Sequence, residues 1–95
     1  MSIESSQAWQ DYVARNPRSR AHAERASRYV PSGTSRSLLR HPPFPFYVER
    51  ALGVTGIDLD GNARIDFHNN YTTLVHGHGH PQVMAAVERQ LGYGT

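Results

Sequence analysis

The segment at residues 56–67, with the sequence GIDLDGNARIDF, constrains the fold more than any other part of the chain. Its centre, Asp60-Gly61-Asn62, is a strong signal for a tight turn between two strands. Apolar residues alternate with polar ones on both sides of that turn, continuing from Val54: Ile57, Leu59, Ile65 and Phe67. Alternation with a period of two predicts a β-hairpin with one buried face.

Two polar helices are predicted before the hairpin. The first lies within SSQAWQDYVARNP at residues 5–17, where serines can cap it, Trp9, Tyr12 and Val13 have helical spacing, and a proline ends it. The second lies within RSRAHAERASRYVPSG and is expected to end in the PSG sequence at residues 31–33. Its apolar stripe is thin and built from alanines, so this helix is expected to lie as an arm on some other surface.

Prolines then shape residues 31–45. The sequence HPPFPF places prolines at positions 42, 43 and 45, where they keep the backbone extended and remove amide donors. This stretch is therefore predicted to cross the protein as an ordered segment outside any helix or strand. Segments of this kind often present binding groups.

A last helix is predicted within HPQVMAAVERQLG at residues 80–92. Pro81 suits the first helical position, His80 stands where a cap belongs, and Gly92 is suited to end the helix. The apolar residues form one stripe: Val83, Met84, Val87 and Leu91.

The sequence HGHGHP, which leads into this helix, has histidines at every second position. In an extended strand His76, His78 and His80 would share one face, as the ligands of a metal site could. Gly77 and Gly79 favour a tight turn instead, and no cysteine or carboxylate lies at chelating spacing. A turn is thus preferred over a metal site, with His80 capping the helix or the imidazole of His78 or His80 packed against another element.

Composition removes several classes of function. The 95 residues include no cysteine, so disulfides and thiolate chemistry are excluded. There is no charged-then-apolar leader and no apolar run of about 20 residues, so secretion and membrane insertion are not expected. A soluble cytoplasmic protein is the expectation.

All ten basic residues other than histidine are arginines, and lysine is absent. No side-chain amine of this chain can therefore form a Schiff base. Seven arginines lie within residues 15–40 beside a single acid, Glu24. This excess of positive charge suits nucleic acid in principle, but no stacking motif or zinc module accompanies it, so a solvated helix face or a surface that docks on an acidic partner is preferred.

Three segments, in order, resemble the N-terminal part of class III pyridoxal-phosphate aminotransferases: YVPSGTSRSLLRHPPFPFYVERALG, GIDLDGNARIDF and GHGHPQVMAAV. The likeness covers about residues 24–95 and looks closest to the glutamate-1-semialdehyde 2,1-aminomutase branch and its β-amino-acid aminotransferase relatives. Each segment alone is a weak signal, whereas the joint pattern is specific.

The resemblance implies a homodimeric enzyme with the α/β, aspartate-aminotransferase-like fold of type I PLP-dependent transferases, several times longer than this chain. Its cofactor is pyridoxal 5'-phosphate, joined to a lysine far downstream. That lysine, the phosphate-binding turn and the aspartate partner of the pyridine nitrogen are expected beyond Thr95. The expected partners are therefore the remainder of the polypeptide, a second subunit and a small-molecule amino acid, and the 95-residue chain alone is expected to be inactive.

Within such an enzyme this stretch is expected to be α+β. Residues 1–45 would form the N-terminal helical arm and the proline-rich crossing segment. Residues 46–80 would form the β-hairpin part of the small domain, and residues 81–95 a helix that leads toward the large domain.

The resemblance also implies where the substrate carboxylate binds. In the aminomutases the segment GGVNSPVR presents an arginine to it, and alignment on Gly33 places Leu39 at that position, a departure from the aminomutase pattern. The β-amino-acid aminotransferases have N-T-R earlier in this loop, and T-S-R here places Arg36 at the corresponding position, with Arg40 as a substitute. Tyr71 occupies the place of an aromatic residue that lines the substrate pocket, although core packing would explain it equally well.

Three functions follow from these observations. The first is the N-terminal part of a PLP-dependent class III aminotransferase, which transfers an amino group between an amino acid and a keto acid, with glutamate-1-semialdehyde 2,1-aminomutase as the alternative. The second is a non-catalytic basic binding module. The third is a metal site at the three histidines of residues 76–80.

Overall fold

The computed structural model describes residues 2–94, which form four helices and one antiparallel sheet of three strands in the order β1-β2-β3. This is the α+β arrangement that the sequence predicts. The elements in chain order are α1 (Gln7–Arg15), α2 (Pro17–Ala26), β1 (Val48–Leu52), β2 (Thr55–Asp58), β3 (Ala63–Ile65), α3 (Asn69–Thr72) and α4 (Pro81–Leu91).

The first two helices are confirmed, with one correction to a boundary. The hydroxyl of Ser6 accepts a hydrogen bond from the amide of Trp9 at 3.3 Å and caps α1. Helix α2 ends at Ala26, so the prediction that it continues to residues 31–33 is wrong. The hydroxyl of Ser27 donates to the carbonyl of Ala23 at 2.7 Å, and the backbone then turns away from the helix.

The hairpin prediction is confirmed in its turn and its pairing. Strands β2 and β3 flank the Asp60-Gly61-Asn62 turn in antiparallel register, with Thr55 opposite Ile65. Strand β1 pairs with the other edge of β2 and completes the sheet.

The predicted buried face of this hairpin is wrong for the residues that the structure describes. Ile65 is 64% exposed and Phe67 is 91% exposed, whereas Gly56 and Asp58 of β2 are buried. Residues alternate between the two faces of a strand, and here the face that turns toward the helical arm is the polar one. The polar face is the buried one because Asp58 accepts hydrogen bonds from its own turn and from Arg64, which reaches the end of α1.

Asp58 is the centre of a buried polar network, which we call the Asp58 network: Asn16, Asp58, Asn62 and Arg64. The carboxylate of Asp58 accepts hydrogen bonds from the amide of Asn62 at 2.8 Å and from Nε of Arg64 at 2.9 Å. Arg64 also donates through Nη2 to Oδ1 of Asn16 at 2.8 Å, which ties the sheet to the end of α1. Burial raises the pKa of Asp58, but the hydrogen bonds from Asn62 and Arg64 outweigh burial and hold that pKa below its ordinary value.

The turn of the hairpin also caps α2 from a distance. The carboxylate of Asp60 accepts hydrogen bonds from the amides of Arg18 at 2.7 Å and Ser19 at 3.0 Å. These amides belong to the first turn of α2, where helical amides have no partner within the helix. A carboxylate at this end also interacts favourably with the helix dipole. The D-x-D-G-N sequence therefore fixes both a turn and the position of α2.

The crossing segment follows the prediction in part. Phe44 and Pro45 are buried, and the hydroxyl of Tyr12 donates to the carbonyl of Phe44 at 2.8 Å, so the proline-rich stretch is ordered against α1. Before it, the backbone forms two short 3-10 turns, at Pro31–Gly33 and Ser37–Leu39. The second of these turns directly follows Arg36.

Helix α4 begins at Pro81 and ends at Leu91, as predicted. Every residue of this helix is exposed, including the apolar stripe of Val83, Met84 and Val87. Among residues 2–94, no helix combines the length and the apolar character needed to cross a membrane.

Substitution of Asp58 by alanine is expected to lower the free energy of unfolding by about 3 kcal/mol, because it leaves Arg64 and the amides of the turn without their acceptor. Urea titration followed by circular dichroism at low protein concentration measures this change. Asp11→Ala, at an exposed carboxylate on α1, is the matched control and is expected to change the free energy by less than about 0.5 kcal/mol. Equal effects of the two substitutions would contradict the role of the Asp58 network.

Acid is expected to weaken the fold through the same carboxylate. Because the pKa of Asp58 is lower in the folded state, its contribution is complete above the ordinary carboxyl value of 3.8 and is lost as the pH falls through the folded value. The free energy of unfolding, measured at successive pH values, should therefore decline below about pH 4. Asp58→Asn should remove much of this decline, and an unchanged acid profile would disprove the assignment.

Candidate functional site

An open cleft of about 1220 Å³ lies between the crossing segment and the sheet. Its apolar wall consists of side chains from both sides: Leu38, Leu39, Phe46, Ile65 and Phe67. Polar side chains also line it, among them Asp66, His68, Tyr71 and His78. A largely apolar cleft with a small number of polar groups is the usual form of a small-molecule site.

The structure brings together the two residues that the sequence singles out. The guanidinium carbon of Arg36 lies over the ring of Tyr71, 4.8 Å from its centroid, within cation–π range. Tyr71 is half-buried and lines the cleft, while Arg36 is exposed and touches the cleft only through Tyr71. No ion pair within residues 2–94 involves Arg36. A guanidinium supported on an aromatic face retains the donors needed to bind a carboxylate in the plane of the fork.

Arg40, the substitute for Arg36, lies elsewhere. It lines a separate cavity of about 820 Å³ between the helical arm and the prolines at positions 42 and 43. Leu39, at the position of the aminomutase arginine, lines the cleft with an apolar side chain and is 43% exposed. Arg36 is therefore the arginine of this loop that lies against Tyr71.

Tyr71 lies in a strained segment, where the sequence predicts only a loop after the strand. Helix α3 is a single left-handed turn, with φ values of +54°, +47°, +59° and +66° at Asn69, Asn70, Tyr71 and Thr72. Left-handed helical backbone costs roughly 1–2 kcal/mol for each residue with a side chain. Such a conformation persists only where its surroundings fix it, and it is frequent at functional sites.

Asp66 provides a large part of that fixation. One oxygen of its carboxylate accepts hydrogen bonds from the amides of His68 at 2.9 Å and Asn69 at 2.8 Å, where α3 begins. The other oxygen lies 2.7 Å from Nε2 of His78. The hydrogen bond to His78, followed by that from Asn69, lowers the pKa of Asp66 below its ordinary value. Because Asp66 is ionised and can only accept, Nε2 of His78 is the donor.

His78 is itself attached to the sheet. Its backbone exchanges two hydrogen bonds of 2.8 Å with Gly53, in the turn between β1 and β2. The neighbouring Gly77, at φ +78°, approaches so closely that a Cβ there would lie 2.8 Å from the carbonyl oxygen of Gly53. A side chain at position 77 would therefore break the bridge.

The turn that the sequence predicts at HGHGHP is present, with positive φ at both Gly77 and Gly79. The prediction that His80 caps α4 is wrong for its side chain. His80 occupies the cap position without a capping hydrogen bond, because its ring lies against that of His76 with centroids 5.0 Å apart. Its Nδ1 is buried without a partner. Within residues 2–94, no group of three histidines and carboxylates is placed to hold a metal ion.

Sequence reasoning missed Asp66, His68 and His78 as parts of this site. His68 accepts the amide of Tyr71 at Nδ1, 3.2 Å away, and its ring lies 4.2 Å from that of Tyr71. Asp66 directly follows a strand, and an aspartate there can accept the backbone amides two and three residues later, which is a local signal for a side chain that caps a turn. The contact between Asp66 and His78 spans twelve residues and has no local signal.

Comparison with known proteins places this chain in a family. Residues 38–95 match the model of class-III aminotransferases. The chain is 43% identical over 76 residues to glutamate-1-semialdehyde 2,1-aminomutase of Methanothrix thermoacetophila, which covers 80% of this chain and 18% of that protein.

Solved structures agree with the sequence match. The crystal structure of a β-phenylalanine aminotransferase from Variovorax paradoxus superposes with a TM-score of 0.85 at 36% identity, over 92% of this chain and 20% of that one. A transaminase solved with PLP bound superposes with a TM-score of 0.79 at 42% identity, over 84% of this chain and 19% of that one. The chain belongs to the class-III aminotransferase family and spans about a fifth of the length of these relatives.

The described residues include no group that could bind PLP covalently. The aldehyde of this cofactor bonds to a side-chain amine, and the sequence has no lysine. The cleft offers phenols, imidazoles and one carboxylate, and the guanidinium of Arg36 lies over the ring of Tyr71, which lines it.

The left-handed turn leads to a test by substitution with glycine. Thr72→Gly is expected to raise the free energy of unfolding by about 0.5–1 kcal/mol, because glycine adopts φ +66° without the strain of a β-branched residue. Urea titration measures it. Thr73→Gly, at the next position with φ −85°, is the control and is expected to be destabilising. A loss of stability at both positions would contradict the left-handed turn.

Proposed function

We propose that this chain supplies the substrate-carboxylate site of a PLP-dependent class III aminotransferase, which transfers an amino group between an amino acid and a keto acid. The observation that supports it is the contact at 4.8 Å between Arg36 and Tyr71, a residue that lines the apolar cleft. In this role Arg36 binds the carboxylate of the substrate as a bidentate pair, and Tyr71 supports the guanidinium and forms the wall beside it.

The cleft would receive the rest of the substrate. Its apolar lining suits an amino acid with an apolar side chain, because Phe46 and Phe67 offer broad faces to such a group. PLP would supply the electron sink for the amino-group transfer, and a lysine outside these 95 residues would bind it. The enzyme would act as a homodimer, in which other parts of the protein cover α4.

Glutamate-1-semialdehyde 2,1-aminomutase is the second candidate. The 43% identity to such an enzyme over 76 residues favours it. Leu39 stands against it, because an apolar side chain occupies the position where the resemblance to aminomutases calls for an arginine. The contact of Arg36 with Tyr71 gives the transaminase assignment the stronger support.

The arginine assignment is testable in the gene product that contains this sequence. Arg36→Met is expected to raise the KM for the amino acid about 10- to 100-fold while kcat changes little, because it removes a charge-assisted bidentate contact. Arg40→Met is the matched control, since that arginine lines the other cavity. A larger rise in KM from Arg40→Met would transfer the role to Arg40.

The coding sequence itself gives a second test. Downstream of codon 95, the proposal requires a segment with a lysine that binds PLP. A purified gene product that shows the absorbance of bound PLP meets this requirement. A stop codon directly after codon 95 would refute the proposal.

A further inference from the structure

The candidate site depends on a contact that neither Arg36 nor Tyr71 makes. Tyr71 lies in the middle of the left-handed turn α3, and the direction of its ring follows from the backbone of that turn. Within the turn, hydrogen bonds come from the amides of Thr72, Thr73 and Leu74, and Nδ1 of His68 accepts the amide of Tyr71. His68 is itself held at the start of the turn through its own amide. A residue that fixes the start of the turn therefore fixes the aromatic wall.

Asp66 occupies that position. Its backbone amide donates to the carbonyl of Val54 at 2.8 Å, which attaches it to the sheet directly after β3. From this point its carboxylate accepts the amides of His68 and Asn69, the residues that lead into α3. One side chain thus connects the sheet to the first residues of the strained turn.

The second oxygen of Asp66 binds His78, which is attached to the sheet by its own route through Gly53. The segment between Asp66 and His78, which contains Tyr71, is therefore attached to the sheet at each end. Asp66 joins the ends through a hydrogen bond of 2.7 Å between side chains that are each about a quarter exposed. A charged acceptor with three donors around it favours one geometry strongly.

We infer that Asp66 is a positioning residue of the substrate site: by fixing the left-handed turn, it holds Tyr71 against Arg36. The hydrogen bond from His78 keeps the carboxylate of Asp66 in place. This inference rests on the proposed function for its effect on substrate binding. Its effect on the turn is independent of that function. Asp66 touches neither Arg36 nor Tyr71 through its side chain, so it acts through the backbone.

The test uses the gene product that contains this sequence, with Asp66→Ala, Asp66→Asn and His78→Phe. Asp66→Ala is expected to increase amide hydrogen exchange in peptides that cover residues 68–74 about tenfold or more, with exchange in α1 and α2 unchanged. Asp66→Asn keeps an oxygen for the two amides and is expected to retain most of the protection. His78→Phe keeps the bulk of the ring without the donor, and it should give a smaller increase in the same segment.

Asp11→Ala removes an exposed carboxylate of α1 and is the control, with exchange in residues 68–74 expected to stay at the wild-type rate. Increased exchange throughout the protein after Asp66→Ala would overturn the inference, because Asp66 would then be a general stabilising residue. Unchanged exchange in residues 68–74 would overturn it as well. Where Asp66→Ala yields no folded protein, the comparison of Asp66→Asn with His78→Phe decides in the same way.

Kinetics separate this inference from the proposed function. Asp66→Ala is expected to raise the KM for the amino acid about tenfold while kcat changes little, and Asp66→Asn should restore most of that loss. If Arg36→Met raises KM and Asp66→Ala does not, the positioning role is wrong and the proposed function stands. If Asp66→Ala opens the turn and Arg36→Met leaves KM unchanged, the proposed function fails and the hold of Asp66 on the turn is confirmed.

Discussion

The buried carboxylate of Asp58 is the interaction on which the rest of the structure depends. With an exposure of 1%, it organises the hairpin turn and accepts Arg64, which in turn reaches Asn16 at the end of α1. The loss of water around such a group is costly unless hydrogen bonds replace it, and here they come from the turn and from the neighbouring strand. These contacts join the helical arm to the sheet. Arg36, in the crossing segment, and Tyr71, after the sheet, thereby come into contact.

The connection between the arm and the sheet explains why the sheet presents its apolar face outward. The polar face of β2 is committed to the arm through Asp58, so Ile65 remains exposed. The candidate site uses the same principle on a smaller scale. Asp66, the next carboxylate along the chain, replaces hydration with two backbone amides and an imidazole, and the strained turn with Tyr71 is built on these contacts.

The sequence predicts the local parts of this molecule well. The spacing of Trp9, Tyr12 and Val13, the Asp60-Gly61-Asn62 turn and Pro81 each determine an element within a few residues, and the structure has those elements. The sequence does not predict which face of the hairpin is buried. Alternation of apolar and polar residues shows that a strand has two different faces, but not which part of the protein covers each face. The link from Asp60 to the amide of Arg18, and that from Asp66 to His78, join distant parts of the chain and leave no local pattern. The contact of Arg36 with Tyr71 arises from the same long-range geometry. The family resemblance implies both residues as candidates, but no pattern in the sequence indicates that they touch.

The close approach of Gly53 and Gly77 has a consequence for how such a cleft can change over time. This contact is made by backbone atoms alone, and it excludes a side chain at position 77. The backbone that positions Tyr71 is therefore attached to the sheet without the help of the apolar side chains of the cleft, such as Leu38 and Phe46. Substitutions at those apolar positions should leave Tyr71 in place. Under the proposed function, such a protein could change its preference for the size of the substrate by substitutions at those apolar positions, while Arg36 and Tyr71 keep their places.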